Sequence, residues 1–444
     1  MKLIKAEIKN FRLLQDVSIT FDKGTTAIVG KNNSGKTSLP SIFKLFFSES
    51  GRGFSFEDFS LLSYSNFINA YKQYLTITEE NKEDVIADIQ KSIPKIQLIL
   101  TIKYSEDDNW SNIQPLFTSL EESDEIKILC EYVPDSTELF LENLKDSMNG
   151  MDYTDNELIE KVKSHYQKNY KTNIRPYVET EETENISRAD LSRLIQIKFI
   201  DAQRILDDSS SESRSRLSRI FQSQFDNENK SDEKSSEDLL QVIEDATGSI
   251  DEKLKKFFSP FVAHFNTFGF PGIGSEKVEL KSQLDPQILF SNNIRLFYNH
   301  EGASLPEKCN GLGYSNLICI VAHIVGFYNE IKDKKNNVNL IFIEEPEVHM
   351  HPQMQTVFIR RISQFLSDVE LDAQVILTTH SSHIISASKF DSIRYFKPIP
   401  EAKRAIVKDL MDFNEKLTEI ETREFLQQYL TLGKCDLFFA DKAI

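Results

Sequence analysis

Apolar and polar side chains alternate through Leu3-Ile4-Lys5-Ala6-Glu7-Ile8 and again through Val17-Ser18-Ile19-Thr20-Phe21, with an arginine-containing turn between them. This alternation predicts a two-stranded hairpin. A third short strand, Thr26 to Val29, runs into a glycine-containing loop, and Thr37 to Phe47 then carries apolar residues at helical spacing. Further apolar, β-rich stretches lie at Ile96 to Ile102, Ile126 to Val133, Ile195 to Ile200, Leu340 to Ile343, Val375 to Leu377 and Ile393 to Phe396. Helical patterns separate several of them, so the expected core is an α/β domain around a central sheet.

Two stretches break this rhythm. Residues 101–190 hold 21 acidic and 9 basic side chains, and Pro134, Asn149-Gly150 and the Glu179 to Glu184 run predict helices joined by solvated loops outside the core. The second stretch opens with the serine-rich Asp207 to Ser213, continues through Asn227 to Glu237 and turns helical from Asp238 to Phe258, which predicts a projecting helical arm.

Composition narrows the class. The 444 residues are 40% apolar and 27% charged, with a net charge of −17, a globular balance. Cys130, Cys309, Cys319 and Cys435 are far apart and form no C-x-x-C pair, so they read as reduced thiols of a cytoplasmic protein. The N-terminus lacks the apolar core of a signal peptide, and the longest apolar run, Leu317 to Tyr328, is interrupted by His323 and too short for a bilayer. Net acidity argues against nucleic acid binding over the whole surface but leaves a local basic groove open. The basic side chains are dispersed: Arg214, Arg216 and Arg219 in the arm, Lys253, Lys255 and Lys256 at its end, and Arg394, Lys397, Lys403, Arg404 and Lys408 near the tail. A solvated face explains them better than contact with DNA.

The chemistry begins at Gly30-Lys31-Asn32-Asn33-Ser34-Gly35-Lys36-Thr37, a full G-x-x-x-x-G-K-[ST] loop between a strand and a helix. Its glycines let successive N–H groups of Asn32, Asn33, Ser34 and Gly35, with the helix start at Ser38, point at phosphates; Lys36 neutralises charge and the Thr37 hydroxyl can ligate Mg²⁺. About 300 residues later Leu340 to Ile343 forms an apolar strand that delivers Glu344 and Glu345 to its carboxyl end. Glu344 is expected on the Mg²⁺ side and Glu345 as the base that orients and deprotonates the attacking water. The strand Val375 to Leu377 ends in Thr378-Thr379-His380-Ser381, and His380 is expected to contact the γ-phosphate. Glu347-x-His349-x-His351 has the spacing of a zinc or iron set, but its place directly after the carboxylate strand fits a loop that meets a second subunit. Asp58 is a candidate for the glutamine-loop position, with a packed loop the preferred reading.

Taken together, Asn10-Phe11-Arg12, GKNNSGKT (30–37), FIDAQR (199–204), NGLGYSNL (310–317), FIEEPEVHMHP (342–352) and TTHS (378–381) resemble the ATPase half of an OLD-family (overcoming lysogenization defect) nuclease. The architecture is similar more loosely to RecF, SMC proteins and other ABC-type ATPases. The resemblance implies an ABC-type (RecF/SMC-like) P-loop ATPase head with a mixed central sheet and inserted helical segments. Such heads dimerise around ATP, so Gly311, Gly313 and Ser315 would address the γ-phosphate across the interface; their departure from LSGGQ speaks against a transporter subunit. OLD-family proteins carry a Toprim nuclease domain after the ATPase. Residues 432–444 resemble the approach to its first strand without the catalytic glutamate or D-x-D pair, so the chain is expected to be an ATPase without its own cleavage carboxylates.

The expected organisation is an N-terminal head lobe at 1–105, an acidic variable segment with a return strand at 106–200, a helical arm for dimerisation at 201–270, a C-terminal head lobe at 271–400 and a linker at 401–444. The expected function is ATP-driven closure of a homodimer, gating DNA processing in defence against phage. Two alternatives stand beside it: a RecF/SMC-like DNA clamp without nuclease, and a sensor ATPase for a separately encoded effector protein.

Overall fold

Residues 2–11 and 14–20 pair as the antiparallel strands β1 and β2, with Ile8 opposite Val17 and Ala6 opposite Ile19, which realises the alternation read from the sequence. The computed structural model describes residues 1–48, 53–201 apart from 107, 109, 118–123, 149–152 and 179–182, then 297–300, 303–306, 312–332, 338–412 apart from 411, and 435–439, with isolated residues 253 and 256. Apart from Asp201, Lys253 and Lys256, the expected arm lies outside the described residues, as does Asn310-Gly311. By contacts the chain divides into two compact units, Met1–Arg204 with Asp333–Ile444, and Ile205–Lys332.

The first unit holds two sheets. One is antiparallel, in the order β2-β1-β4-β5-β6, with β4 at Ile96–Lys103, β5 at Glu125–Pro134 and β6 at Tyr170–Pro176. The other is mixed, in the order β13-β12-β3-β11-β10-β7, where β3 is Thr25–Gly30, β7 Ile195–Asp201, β10 Val338–Glu344, β11 Gln374–Thr379, β12 Ile393–Ile399 and β13 Arg404–Asp409. All neighbours in it are parallel except β12 and β13. The expected mixed sheet is therefore present. Its central strands read as near-continuous apolar runs because both faces are covered: every residue of β11 is buried, as are Leu340 to Ile343 in β10.

Three findings differ from the sequence reading. The acidic stretch is not outside the core. Its helices Thr137–Met148 and Asp155–Asn169 bury Phe140, Leu141, Leu144, Met148, Leu158, Val162 and Tyr166 in the same cluster as β1 and β4, while the carboxylates face outward. Residues 404–409, expected within a linker, extend the mixed sheet as its edge strand. Arg394 is neither on a solvated face nor at a surface that DNA could reach: it is fully buried on β12, donating to the Thr20 carbonyl at 2.9 Å and pairing with Asp409 at 3.0 Å.

The second unit contributes the hairpin of β8, Phe297–His300, and β9, Ala303–Pro306, and the helix Leu312–Ile331. This 20-residue helix is the one among the described residues that is long and apolar enough to cross a membrane. Its Gly313, Asn316, Ile320, Ile324, Phe327 and Ile331 form a buried stripe at helical spacing, the pattern of a helix packed in protein.

Candidate nucleotide site

Parallel pairing fixes the site. Strands β3, β11 and β10 are neighbours that run in one direction, so the segments leaving their carboxyl ends emerge on the same edge of the sheet. From β3 comes the loop 30–37 and then helix α1, Ser38–Phe47. From β10 come Glu344 and Glu345, and from β11 comes His380.

The loop is shaped by backbone needs. Gly35 sits at φ +90° and Asn33 at +59°, the left-handed region that glycine and asparagine tolerate best. A Cβ on Gly30 would collide with the Phe396 carbonyl oxygen and lie 2.8 Å from Ser34 Oγ. Thr37 precedes α1 without a side-chain capping bond and is exposed, so its hydroxyl is not committed to the helix. Asn32 and Asn33 are exposed beside it, while Ser38 is buried at the helix start.

Lys36 is 3% exposed and donates to the carbonyls of Gly30 at 2.9 Å and Lys31 at 2.7 Å. Burial lowers its pKa to about 8, against the opposing pull of Glu345 and Glu347. A buried ammonium curled over its own loop is complementary to a polyphosphate, which would replace lost hydration with negative charge. Ser34 Oγ is fully buried with no hydrogen-bond partner among the described residues, a second polar group in that cradle.

Glu345 stands at φ +46°, an uncommon conformation for a non-glycine residue, and its N–H donates to the Thr378 carbonyl at 3.0 Å. Its Oε1 lies 3.4 Å from His380 Nε2. The His380 hydrogen bond is the main reason its pKa falls, outweighing desolvation, with the charges of His380 and Lys36 adding to the effect. Glu345 and His380 are thus in contact, with the Lys36 charge close enough to act on Glu345.

Glu344 is placed differently from Glu345: its Oε1 is bonded to Lys44 Nζ at 2.6 Å. A cleft of about 430 Å³ is lined by Arg12, Thr37, Ser41, Lys44, Asp201, Glu344 and Glu345. Its hard oxygen donors, the Thr37 hydroxyl and the Asp201 and Glu344 carboxylates, suit Mg²⁺. Arg12 reaches this cleft while its guanidinium holds Asp58 at 2.8 Å. Asp58 is buried and also accepts from the Ser55 N–H, so it belongs to a packed loop, as preferred above.

Sequence reasoning did not single out Lys44, Asp201 or Arg12 as lining residues, nor the bracing role of Glu347. Lys44 follows Thr37 by two helical turns, a signal that places both on one face of α1; the rest needed the fold. Glu347 accepts from the His380 N–H at 2.6 Å and from Thr379 Oγ1 at 2.9 Å, and burial raises its pKa. His351 caps the helix Pro352–Asp368 by accepting from Gln353 N–H. Among the described residues no cluster of three His, Cys, Asp or Glu side chains is placed to hold a metal. Gly313 is buried and Ser315 half-buried in the first turn of Leu312–Ile331, in the other unit.

The segment Asp436–Phe438 and its neighbours reach the histidine turn. Ser382 Oγ bonds Asp436, the Phe439 ring lies 6.0 Å from the His380 ring, and Phe438 packs edge-on to Tyr395 at 5.3 Å.

The AAA ATPase domain family model matches residues 1–385. Endonuclease GajA of Bacillus cereus (strain HuB5-5) is 27% identical over 453 residues, covering 95% of this chain and 62% of GajA. The OLD nuclease of Thermus scotoductus (strain ATCC 700910 / SA-01) is 24% identical over 153 residues, 34% of this chain and 28% of that protein. The chain therefore spans about three fifths of GajA and a smaller share of the OLD nuclease. An SMC head domain from Thermotoga maritima aligns over 92% of this chain and 99% of its own at 12% identity and a TM-score of 0.40.

Proposed function

This chain belongs to the AAA ATPase domain family, and from that membership we propose that it is the ATP-binding and hydrolysing module of an OLD-like nuclease. The observation that carries the reading is the convergence of Lys36, Glu345 and His380 at the carboxyl ends of three adjacent parallel strands.

In this reading the N–H groups of the loop 30–37 and the Lys36 ammonium hold the β- and γ-phosphates of ATP. Thr37 and Glu344 would hold Mg²⁺, which supplies charge neutralisation. Glu345, kept ionised by His380, orients the attacking water and accepts its proton, while His380 touches the γ-phosphate from the side opposite Lys36. Glu345→Gln keeps the shape and removes the charge. It is expected to bind ATP as tightly as the parent and to turn it over about a hundredfold or more slowly; unchanged hydrolysis would remove Glu345 from the role.

Relatives that are named as an endonuclease and a nuclease support the reading that the output of the ATP cycle is gated DNA processing, in a cytoplasmic defence against phage. Closure is proposed to bring two copies together through their heads and the arm, with Gly313 and Ser315 of one copy facing the phosphates of the other. The packing of Phe439 on His380 favours gating, because it links the nucleotide-facing histidine to the C-terminal segment.

A further inference from the structure

We propose that Glu347 is the positioning residue for His380: its buried carboxylate clamps the turn that carries the imidazole and so holds the histidine against Glu345. The inference rests on the reading of His380 given above and goes beyond it by naming what aims the histidine.

The geometry is specific. His380 leaves the end of β11 with no strand partner beyond Thr379, and a turn of that kind must find other acceptors for its main-chain N–H groups. Glu347 Oε1 provides one, accepting from His380 N–H at 2.6 Å and from the Thr379 hydroxyl at 2.9 Å. The same hydroxyl accepts from Ser381 N–H at 2.9 Å, so one oxygen organises three consecutive residues. Both backbones are anchored: the Glu345 N–H is tied to Thr378, and Ser381 caps the next helix, Ser382–Ala387, by accepting from His383 and Ile384 N–H groups. The imidazole, by contrast, meets Glu345 at a loose 3.4 Å. Its aim is therefore set through the main chain. Glu347 Oε2 is buried and has no hydrogen-bond partner among the described residues, so it is Oε1 through which the side chain holds the turn.

The test uses the full chain with steady-state ATP hydrolysis, ATP affinity and thermal unfolding measured together. Glu347→Ala is expected to lower kcat about ten- to a hundredfold, the scale of a misplaced catalytic group, while ATP affinity stays within about threefold. Glu347→Gln, which keeps the accepting oxygen, is expected to recover most of the rate. In a His380→Ala background, Glu347→Ala should cost nothing further. A parent-like kcat in Glu347→Ala, or losses that multiply in the double variant, would overturn the proposal. Should Glu347→Ala fail to fold, Thr379→Val removes one of the two clamping bonds at constant volume and is expected to lower kcat in the same direction; no change there would overturn it equally. A parent-like kcat in His380→Ala would instead overturn the reading of His380 itself, so the two failures are distinguishable.

Discussion

Burial holds the Lys36 ammonium at a pKa of about 8 in the nucleotide-free protein, which links ATP binding to pH. Arriving phosphates favour the charged form and raise that pKa. Below about pH 8 the proton is already present and binding takes up none. Above it the complex must recruit one, so affinity falls by up to tenfold per pH unit. Titration calorimetry from pH 7.5 to 9.5 is expected to show this bend near pH 8, and Lys36→Arg, whose charge does not titrate there, should lose it. At this scale the loop 30–37, Glu345 and His380 were legible because each side chain sits at the end of an apolar strand, where its chemistry is exposed by pattern alone. Glu347 was read only as one member of a Glu-x-His-x-His spacing. The local repeat carries no sign that its carboxylate turns back to a strand end 32 residues later.

At the scale of elements, the buried pair Arg394–Asp409 joins β12 to β13, while Arg394 also donates to Thr20 on β2, tying the two sheets together. Arg394→Met removes the buried cation that pairs with Asp409, leaving that carboxylate the Thr20 hydroxyl but no counter-charge from β12, and is expected to destabilise the fold by about 3–5 kcal/mol, read as a lower urea midpoint. Asp409→Asn in the same chain should restore part of the loss. The central strands were found in sequence because burial on both faces makes them continuous apolar runs. Of the four edge strands, β2 and β7 were found from their apolar positions, while β6 and β13 were not, since these two intersperse Lys171 and Arg175, or Arg404, Lys408 and Asp409, among few buried positions. A similar averaging hid the burial of the acidic helices, which were expected but outside the core: the net charge of their stretch obscured the apolar face formed by Phe140, Leu141, Leu144 and Met148.

For the whole molecule, the proposed closure of two copies on ATP predicts a change of mass. Sedimentation of Glu345→Gln with ATP and Mg²⁺ is expected to show twice the protomer mass, with Lys36→Met remaining at the nucleotide-free mass; equal sedimentation of both variants would argue against ATP-driven closure. By itself the sequence determined the α/β class, the nucleotide loop and the order of the motifs, because strand periodicity and phosphate binding are local properties of short segments. The tertiary structure decided the rest. It placed Glu344 on Lys44, turned Arg394 inward and put the acidic helices into the core. It also brought Glu347 beneath His380. Each of these depends on which strands and helices lie side by side, and that pairing joins segments whose proximity no local pattern records.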